Sequence, residues 1–258
     1  MKQRIIAFIA ELAVLVSAML PGGSGAVGLG YVPTEQYMAS VYYQRLKSVG
    51  LTGNRAFDVM NIAASQLGYH EGDDESELGG GNLRGTRNFS EYGYWFGTEV
   101  MGNESGLFSA WCAFFICWCA RRAELPQSVI CNAAYAKPDG ADSRGFGYFH
   151  VDAIEPEGYT PRYGDLIFFD WDCDVTWDHV ALVYYVTETK VGTVEGNAVD
   201  GVRHREFELT DPVIRAYGSP AYGERPAAAG EVLKHRGLAD QAVKNCLMTA
   251  ETLLLPGK

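Results

Sequence analysis

The sequence lacks the excess of basic residues that binding to nucleic acid requires. Its 21 lysines and arginines are outnumbered by 32 aspartates and glutamates, so the formal net charge is −11 and the pI is near 4.9. A protein that follows a phosphate backbone needs a basic surface. The composition therefore predicts no nucleic-acid partner, and contact with any anionic polymer has to be local or mediated by cations.

The sequence also lacks an uncharged apolar run long enough to cross a bilayer. Lys2 and Arg4 form a basic start, and Glu11 interrupts the apolar stretch, which leaves nine uncharged residues from Leu12 to Leu20. A transmembrane helix needs about 20 apolar residues. We expect residues 1–26 to be a cleaved export signal, with an uncleaved anchor or a soluble amphipathic helix as alternatives. Export predicts a secreted or cell-surface protein with no stable membrane insertion after cleavage.

The six cysteines do not have the spacing of a disulfide framework. Three of them, Cys112, Cys117 and Cys119, crowd one predicted helix, and the latter two read as core residues. The side chains of a Cys-x-Cys pair point about 200° apart on a helix and cannot hold one metal together. A bridge between Cys131 and Cys173 stays open, because sequence alone does not decide pairing.

The pattern of a calcium-binding loop is missing as well. The segment from Glu71 to Gly85 is acidic and rich in glycine, but it lacks the alternation and the fixed glycine of an EF-hand loop. It is predicted to be a solvated loop. We expect neither a metal nor a cofactor.

Helical patterns occupy the first half of the chain. Residues 27–53 are predicted to be a linker with a short helix at Thr34–Ser48. A second helix is expected at Arg55–Leu67, where Asn54 caps its start and Gly68 ends it. A third, strongly apolar helix is expected from about Ala110 to Ala123.

Strand patterns occupy the second half, after a polar insertion at 131–163. Four segments rich in valine, aromatic residues or alternating polarity are predicted strands: Leu166–Asp170, His179–Val186, Lys190–Glu195 and Val202–Leu209. Helices followed by an antiparallel sheet predict an α+β fold, with the N-terminal helices packed on the sheet. The domain is expected to span residues 54–223.

The tail at 224–258 carries a helical apolar stripe from Glu231 to Leu255. Such a stripe predicts a helix docked on the domain's own core, and a partner-binding or dimer helix is the alternative. We expect a monomer.

Cys112 stands out among the six cysteines because it lies in the first turn of the third helix. The positive end of the helix dipole favours a thiolate there, and the free backbone N–H groups can donate to an oxyanion. Cys117 and Cys119 lie one and two turns further in. This position indicates a nucleophile that attacks an amide carbonyl.

A base and an orienting group follow Cys112 in the sequence. His179 begins an apolar strand and is expected at the end of the sheet, while the next strand ends in Glu195-Gly196-Asn197. Glu195 can accept the imidazole Nδ1–H, and Asn197 can orient the ring without charge. Either residue can fill the role, and Glu195 is the preferred one.

Four motifs in this order give the chain a family resemblance. The segments "WCAFFICWCARRAEL", "YGDLIFFDW", "DHVALV" and "VEGN" together resemble the CHAP (cysteine, histidine-dependent amidohydrolase/peptidase) family, which is papain-like and occurs in bacterial and phage peptidoglycan hydrolases. The similarity runs from the helix near Asn54 through "YGSPAYG" to Gly223. The tail after Gly230 lies outside it.

The resemblance implies roles for individual residues. The family's nucleophile matches Cys112 and its base matches His179, and its acid and amide match Glu195 and Asn197. Three aromatic residues are expected to bind substrate: Tyr92, in a stretch where Ser90 replaces the family's threonine; Trp111, as a wall of the cleft; and Trp177, beside His179.

The function implied is cysteine-dependent hydrolysis of amide bonds in peptidoglycan, through a thioester acyl-enzyme. The bond is either the one between muramic acid and L-alanine or one within the peptide stem or bridge. Two alternatives remain. One is an inactive papain-like module that binds the cell wall, and the other is an acyl-transferring transpeptidase.

Overall fold

The computed structural model describes residues 30–77, 85–102, 104–126, 129–130, 149, 151–174 and 177–223. The expected export signal, the tail that was predicted to be helical and most of the polar insertion lie outside these residues. The same holds for Cys131. In the described part of the chain, no helix combines the length and the apolarity needed to cross a bilayer.

Five α-helices precede the sheet in the described ranges. They are α1 (Glu35–Ala39), α2 (Val41–Ser48), α3 (Arg55–Ser65), α4 (Glu91–Trp95) and α5 (Cys112–Arg122). Short 3₁₀ turns lie at Glu75–Glu77 and Glu104–Gly106, and a π-helical turn at Phe96–Met101 continues α4. The Asn54 side chain accepts the Phe57 N–H at 3.3 Å and caps α3, as predicted.

The single helix predicted at Thr34–Ser48 is in fact two. Ser40 has an extended backbone between α1 and α2, and its hydroxyl accepts the Tyr43 N–H at 3.2 Å. Thr34 caps α1 in the same way by accepting from Tyr37. A serine that caps a new helix competes with continuation of the old one, which explains the break.

Within the described residues, six strands form one antiparallel sheet in the order β1-β6-β2-β3-β4-β5. Their bounds are β1 (Ala153–Ile154), β2 (Leu166–Phe169), β3 (His179–Val186), β4 (Lys190–Glu195), β5 (Arg203–Glu208) and β6 (Ile214–Gly218). The predictions for β3 and β4 match residue for residue. The prediction for β2 is one residue too long at its end, and that for β5 is one residue too long at each end. The outer strand β1 and the strand β6 were not predicted.

Both faces of the sheet are covered. Leu166, Phe168, Val180 and Leu182 pack into the core that contains α3 and α5. The intervening residues Ile167, Phe169, Ala181 and Val183 form a second apolar cluster on the opposite face. The predicted α+β class, with N-terminal helices packed on an antiparallel sheet, is confirmed.

Candidate active site

Cys112 is the first residue of α5 and is buried. The preceding residue, Trp111, occupies the N-cap position without a side-chain hydrogen bond to the helix. The backbone N–H groups of the first turn therefore receive no cap from that side chain, and they can stabilise an anion at or near the sulfur. This is the position that the helical pattern predicted.

Gly196 allows α5 to approach the sheet closely. A Cβ on Gly196 would lie 2.5 Å from the Cβ of Phe115, a distance that van der Waals repulsion forbids. Phe115 lies one turn after Cys112, and its N–H bonds the Trp111 carbonyl at 2.9 Å. The missing side chain thus lets the start of α5 lie against the end of β4.

His179 is the first residue of β3 and is paired with Phe169 of β2. The ring is buried, hydrogen-bonds Glu195 and interacts with the Cys112 side chain. Burial alone would lower the pKa of His179, but its interactions with Cys112 and Glu195 outweigh it and raise the pKa to about 9. Below that pH the ring is an imidazolium beside the sulfur.

Glu195 is the last residue of β4 and is fully buried. Nε2 of His179 donates to its Oε2 at 2.9 Å. The expectation that Glu195 accepts from Nδ1 was therefore wrong about the atom. Because Nε2 is taken, Nδ1 is the ring nitrogen left to meet Cys112.

The charge of Glu195 is compensated within the site. Burial would raise the pKa of Glu195, but the hydrogen bonds from His179 and Arg205 outweigh it and hold the pKa below its ordinary value. The Thr193 hydroxyl donates to the other carboxylate oxygen, Oε1. Glu195 is consequently ionised where His179 needs a negative partner.

Asn197 does not share this role in the structure. Its backbone has a φ of 56°, and its side-chain amide donates to Oδ1 of Asn88 at 3.3 Å. The left-handed conformation turns the chain away from the strand direction after Gly196. Of the two candidates left open by the sequence, the structure places Glu195 against the ring.

The three aromatic residues expected to bind substrate are all buried. Tyr92 and Trp111 have no more than 1% of their surface exposed, and the Tyr92 hydroxyl donates inward to Gln66 at 3.1 Å. Trp177 stacks on Phe168 with ring centroids 4.6 Å apart. These rings support the site from within the core. The prediction missed this because the sequence does not distinguish an aromatic residue in a core from one in a cleft. As substrate contacts, they are not supported by this structure.

The prediction of a solvated loop is wrong at Glu71, the first residue of that segment. Its side chain is buried, and its two carboxylate oxygens accept from Trp111 Nε1 and from the Asn88 backbone N–H, both at 2.7 Å. Burial raises the pKa of Glu71, although these two hydrogen bonds oppose the rise. Glu71 thereby ties the residue before Cys112 to the residue that Asn197 contacts. Its place in an acidic run concealed this role.

Two residues next to the His179–Glu195 pair were also missed. Trp171 is 41% exposed, and its ring centroid lies 5.8 Å from that of His179. Arg205 donates to Oε2 of Glu195 from Nε at 2.9 Å and from Nη2 at 2.7 Å. Trp171 is therefore an exposed aromatic surface next to the predicted base. The alternation of β5 could have shown that Arg205 shares a face with Phe207, but not that it reaches Glu195.

Three carboxylates converge in the loop after β2. Asp170, Asp172 and Asp174 can each offer one oxygen within 4.8 Å of the others. Asp170 is buried and already forms an ion pair with Arg215 at 3.3 Å. We assign no metal to this cluster.

The remaining described cysteines are separate from the site chemistry. Cys117 and Cys119 are fully buried in α5, as expected for core residues, and burial raises the pKa of Cys119 well above its ordinary value. Cys173 is exposed and free. Its suggested partner for a bridge lies outside the described residues.

A comparison with known protein families agrees with the motifs. Residues 103–197 match the family model of the CHAP domain, which confirms the predicted resemblance. A solved structure of an NlpC/P60 family protein from Bacillus cereus ATCC 10987 is similar at 15% identity and a TM-score of 0.30, over 63% of this chain and 39% of that one. The chain thus spans well under half of that protein. A comparison with curated proteins finds no match.

Proposed function

We propose that this chain, which matches the CHAP domain family over residues 103–197, is a cysteine amidohydrolase that cleaves amide bonds in bacterial peptidoglycan. One observation carries the proposal. Cys112 begins a helix and its side chain interacts with His179, whose Nε2 donates to the buried carboxylate of Glu195. This arrangement suits a thiol nucleophile, a base and an orienting acid.

In the acylation step, the Cys112 thiolate attacks the carbonyl carbon of the amide. The oxygen that becomes negative is stabilised by N–H groups at the start of α5. His179 then transfers the proton on Nδ1 to the departing amine nitrogen as the C–N bond breaks. The product is a thioester on Cys112 and a free amine.

In the deacylation step, neutral His179 accepts a proton from a water molecule that attacks the thioester. The C–S bond breaks, the acid is released and the thiolate–imidazolium pair is restored. Glu195 stays ionised throughout and holds the ring by Nε2. Whether water or an amine attacks the thioester distinguishes hydrolysis from transpeptidation.

The place of action follows from the substrate. Peptidoglycan lies outside the cytoplasmic membrane, so we propose that the protein is secreted or held at the cell surface, as the basic and apolar start of the chain predicts. Its acidic surface requires local contact with the wall polymer rather than broad electrostatic attraction.

The experiment incubates the purified protein with peptidoglycan and identifies the released fragments by mass spectrometry. Wild type should release fragments, and Cys112→Ala should release none, while Cys173→Ala removes an exposed thiol as the matched control and should act like wild type. New N-terminal L-alanine indicates cleavage next to muramic acid, and any other new amine indicates an endopeptidase. Equal release by wild type and Cys112→Ala would overturn the proposal in favour of a non-catalytic module.

A further inference from the structure

The buried carboxylate of Glu195 has more partners than the orientation of a histidine requires. Its Oε2 accepts from His179 and from two nitrogens of Arg205, and its Oε1 accepts from Thr193. A buried carboxylate is costly unless charge and hydrogen bonds compensate it. Arg205 supplies that compensation independently of whether His179 carries a proton.

The guanidinium of Arg205 is itself held in place. Its Cζ lies 5.0 Å from the ring centroids of both Trp171 and Phe207. In the register of the sheet Arg205 pairs with Thr193, two residues before Glu195 on the neighbouring strand. Two aromatic contacts and a strand position together restrict the long side chain, which lowers the entropic cost of the fixed geometry.

The charges of the site balance only when Arg205 is counted. The reactive state has negative charge on Cys112 and Glu195, and positive charge on His179 and Arg205. Without Arg205, the buried Glu195 carboxylate would have His179 as its only positive partner, and that imidazolium must also pair with the thiolate. The carboxylate would then bind a proton more readily.

We propose that Arg205 is a positioning residue for the reaction: it fixes the Glu195 carboxylate with two hydrogen bonds, so that His179 keeps Nε2 on Glu195 and directs Nδ1 at Cys112. The proposal deepens the hydrolase function and rests on it. Arg205 acts through Glu195 and does not touch the reacting atoms. A planar two-donor group suits this role, whereas a lysine offers only a point charge.

The test compares Arg205→Met and Arg205→Lys with Arg203→Met. Arg203 lies on the same strand and face, but its guanidinium donates to the Val202 carbonyl at 3.4 Å. The first readout is the rate at which iodoacetamide alkylates Cys112 across a pH range, localised to that residue by mass spectrometry. The second is kcat and KM on soluble peptidoglycan fragments, and thermal melting monitors folding.

Arg205→Met should move the acid limb of Cys112 alkylation to higher pH by roughly one unit. Arg205 lowers the pKa of Glu195, so without Arg205 the Glu195 carboxylate takes up a proton at a higher pH and no longer stabilises the imidazolium beside the sulfur. It should also lower kcat by about a hundredfold with KM unchanged, as expected when a reacting group is misplaced. Arg205→Lys should keep the acid limb near wild type and recover part of kcat. Arg203→Met should match wild type in both readouts.

An unchanged alkylation profile in Arg205→Met, or the same shift in Arg203→Met, would overturn the role of Arg205. If Arg205→Met does not fold, Arg205→Lys decides the question, since full wild-type kcat in that variant contradicts the need for two donors. Alkylation requires no peptidoglycan. A wild type that fails to cleave peptidoglycan while the alkylation shift remains would therefore overturn the proposed function and not the role of Arg205.

Discussion

Nε2 of His179 donates to Oε2 of Glu195 over 2.9 Å at the meeting ends of two neighbouring antiparallel strands. His179 begins β3 and Glu195 ends β4, so the sheet itself brings them together. The side chain of Asn197, two residues later, bonds Asn88 instead. His179 thus has a charged partner within the sheet, and its other nitrogen is left for the sulfur.

Replacing Glu195 should harm the reaction far more than replacing Asn197. Glu195→Gln keeps the size of the side chain but removes the charge that stabilises imidazolium, so we expect kcat/KM to fall at least about a hundredfold. Asn197→Ala should cost less than about tenfold. Steady-state kinetics on soluble fragments measure both, and the exposed Glu206→Gln serves as the control for loss of a carboxylate. Equal losses in the Glu195 and Asn197 variants would contradict the assignment.

The stability of the protein should depend on pH through His179. Its pKa is raised from 6.5 to about 9 in the folded protein, so its contribution to the free energy of unfolding is fully present below pH 6.5 and is lost as the pH rises through 9. The contribution is on the order of 3 kcal/mol. Urea unfolding at pH 6 and pH 10 should show a larger difference for wild type than for His179→Gln. Parallel losses in the two proteins would refute the linkage.

Trp171 should contact substrate, in contrast to the buried Trp177. Trp171→Ala removes an exposed ring beside His179, so we expect KM to rise by about tenfold with little change in melting temperature. Trp177→Ala should instead lower the free energy of unfolding by about 3 kcal/mol, because the ring is stacked in the core. Trp171→Phe retains a ring over Arg205 and is the conservative control. A higher KM in the Trp177 variant alone would reverse this assignment.

Gly196→Ala should destabilise the contact between α5 and β4. The added methyl would meet the Cβ of Phe115 at 2.5 Å, and relief of that overlap should cost about 1–3 kcal/mol in the free energy of unfolding. Gly50→Ala, where nothing lies within 4 Å of an added Cβ, should be nearly neutral in the same urea titration. Displacement of Cys112 should also slow its alkylation by iodoacetamide. An equal stability for the two variants would mean that α5 moves freely at this contact.

Local pattern was sufficient for most of the secondary structure. The cap at Asn54, the start of α5 near Cys112 and the exact bounds of β3 and β4 all depend on residues close together in the chain. The break at Ser40 was missed because capping competes with continuation of a helix, and both fit the same sequence. The strand β6 was missed because its pairing with β2 depends on residues about fifty positions away.

The sequence by itself determined the order of Cys112, His179 and Glu195 and the elements that carry them, since helix and strand signals act over a few neighbouring residues. Only the tertiary structure decided which ring nitrogen meets Glu195, that Asn197 turns to Asn88, and that Arg205 completes the charge balance. It also placed Tyr92 and Trp111 in the core. These outcomes depend on burial and on contacts between residues far apart in the chain, such as the hydrogen bond that joins Asn88 and Asn197 across 109 positions. No local pattern of residues encodes such contacts.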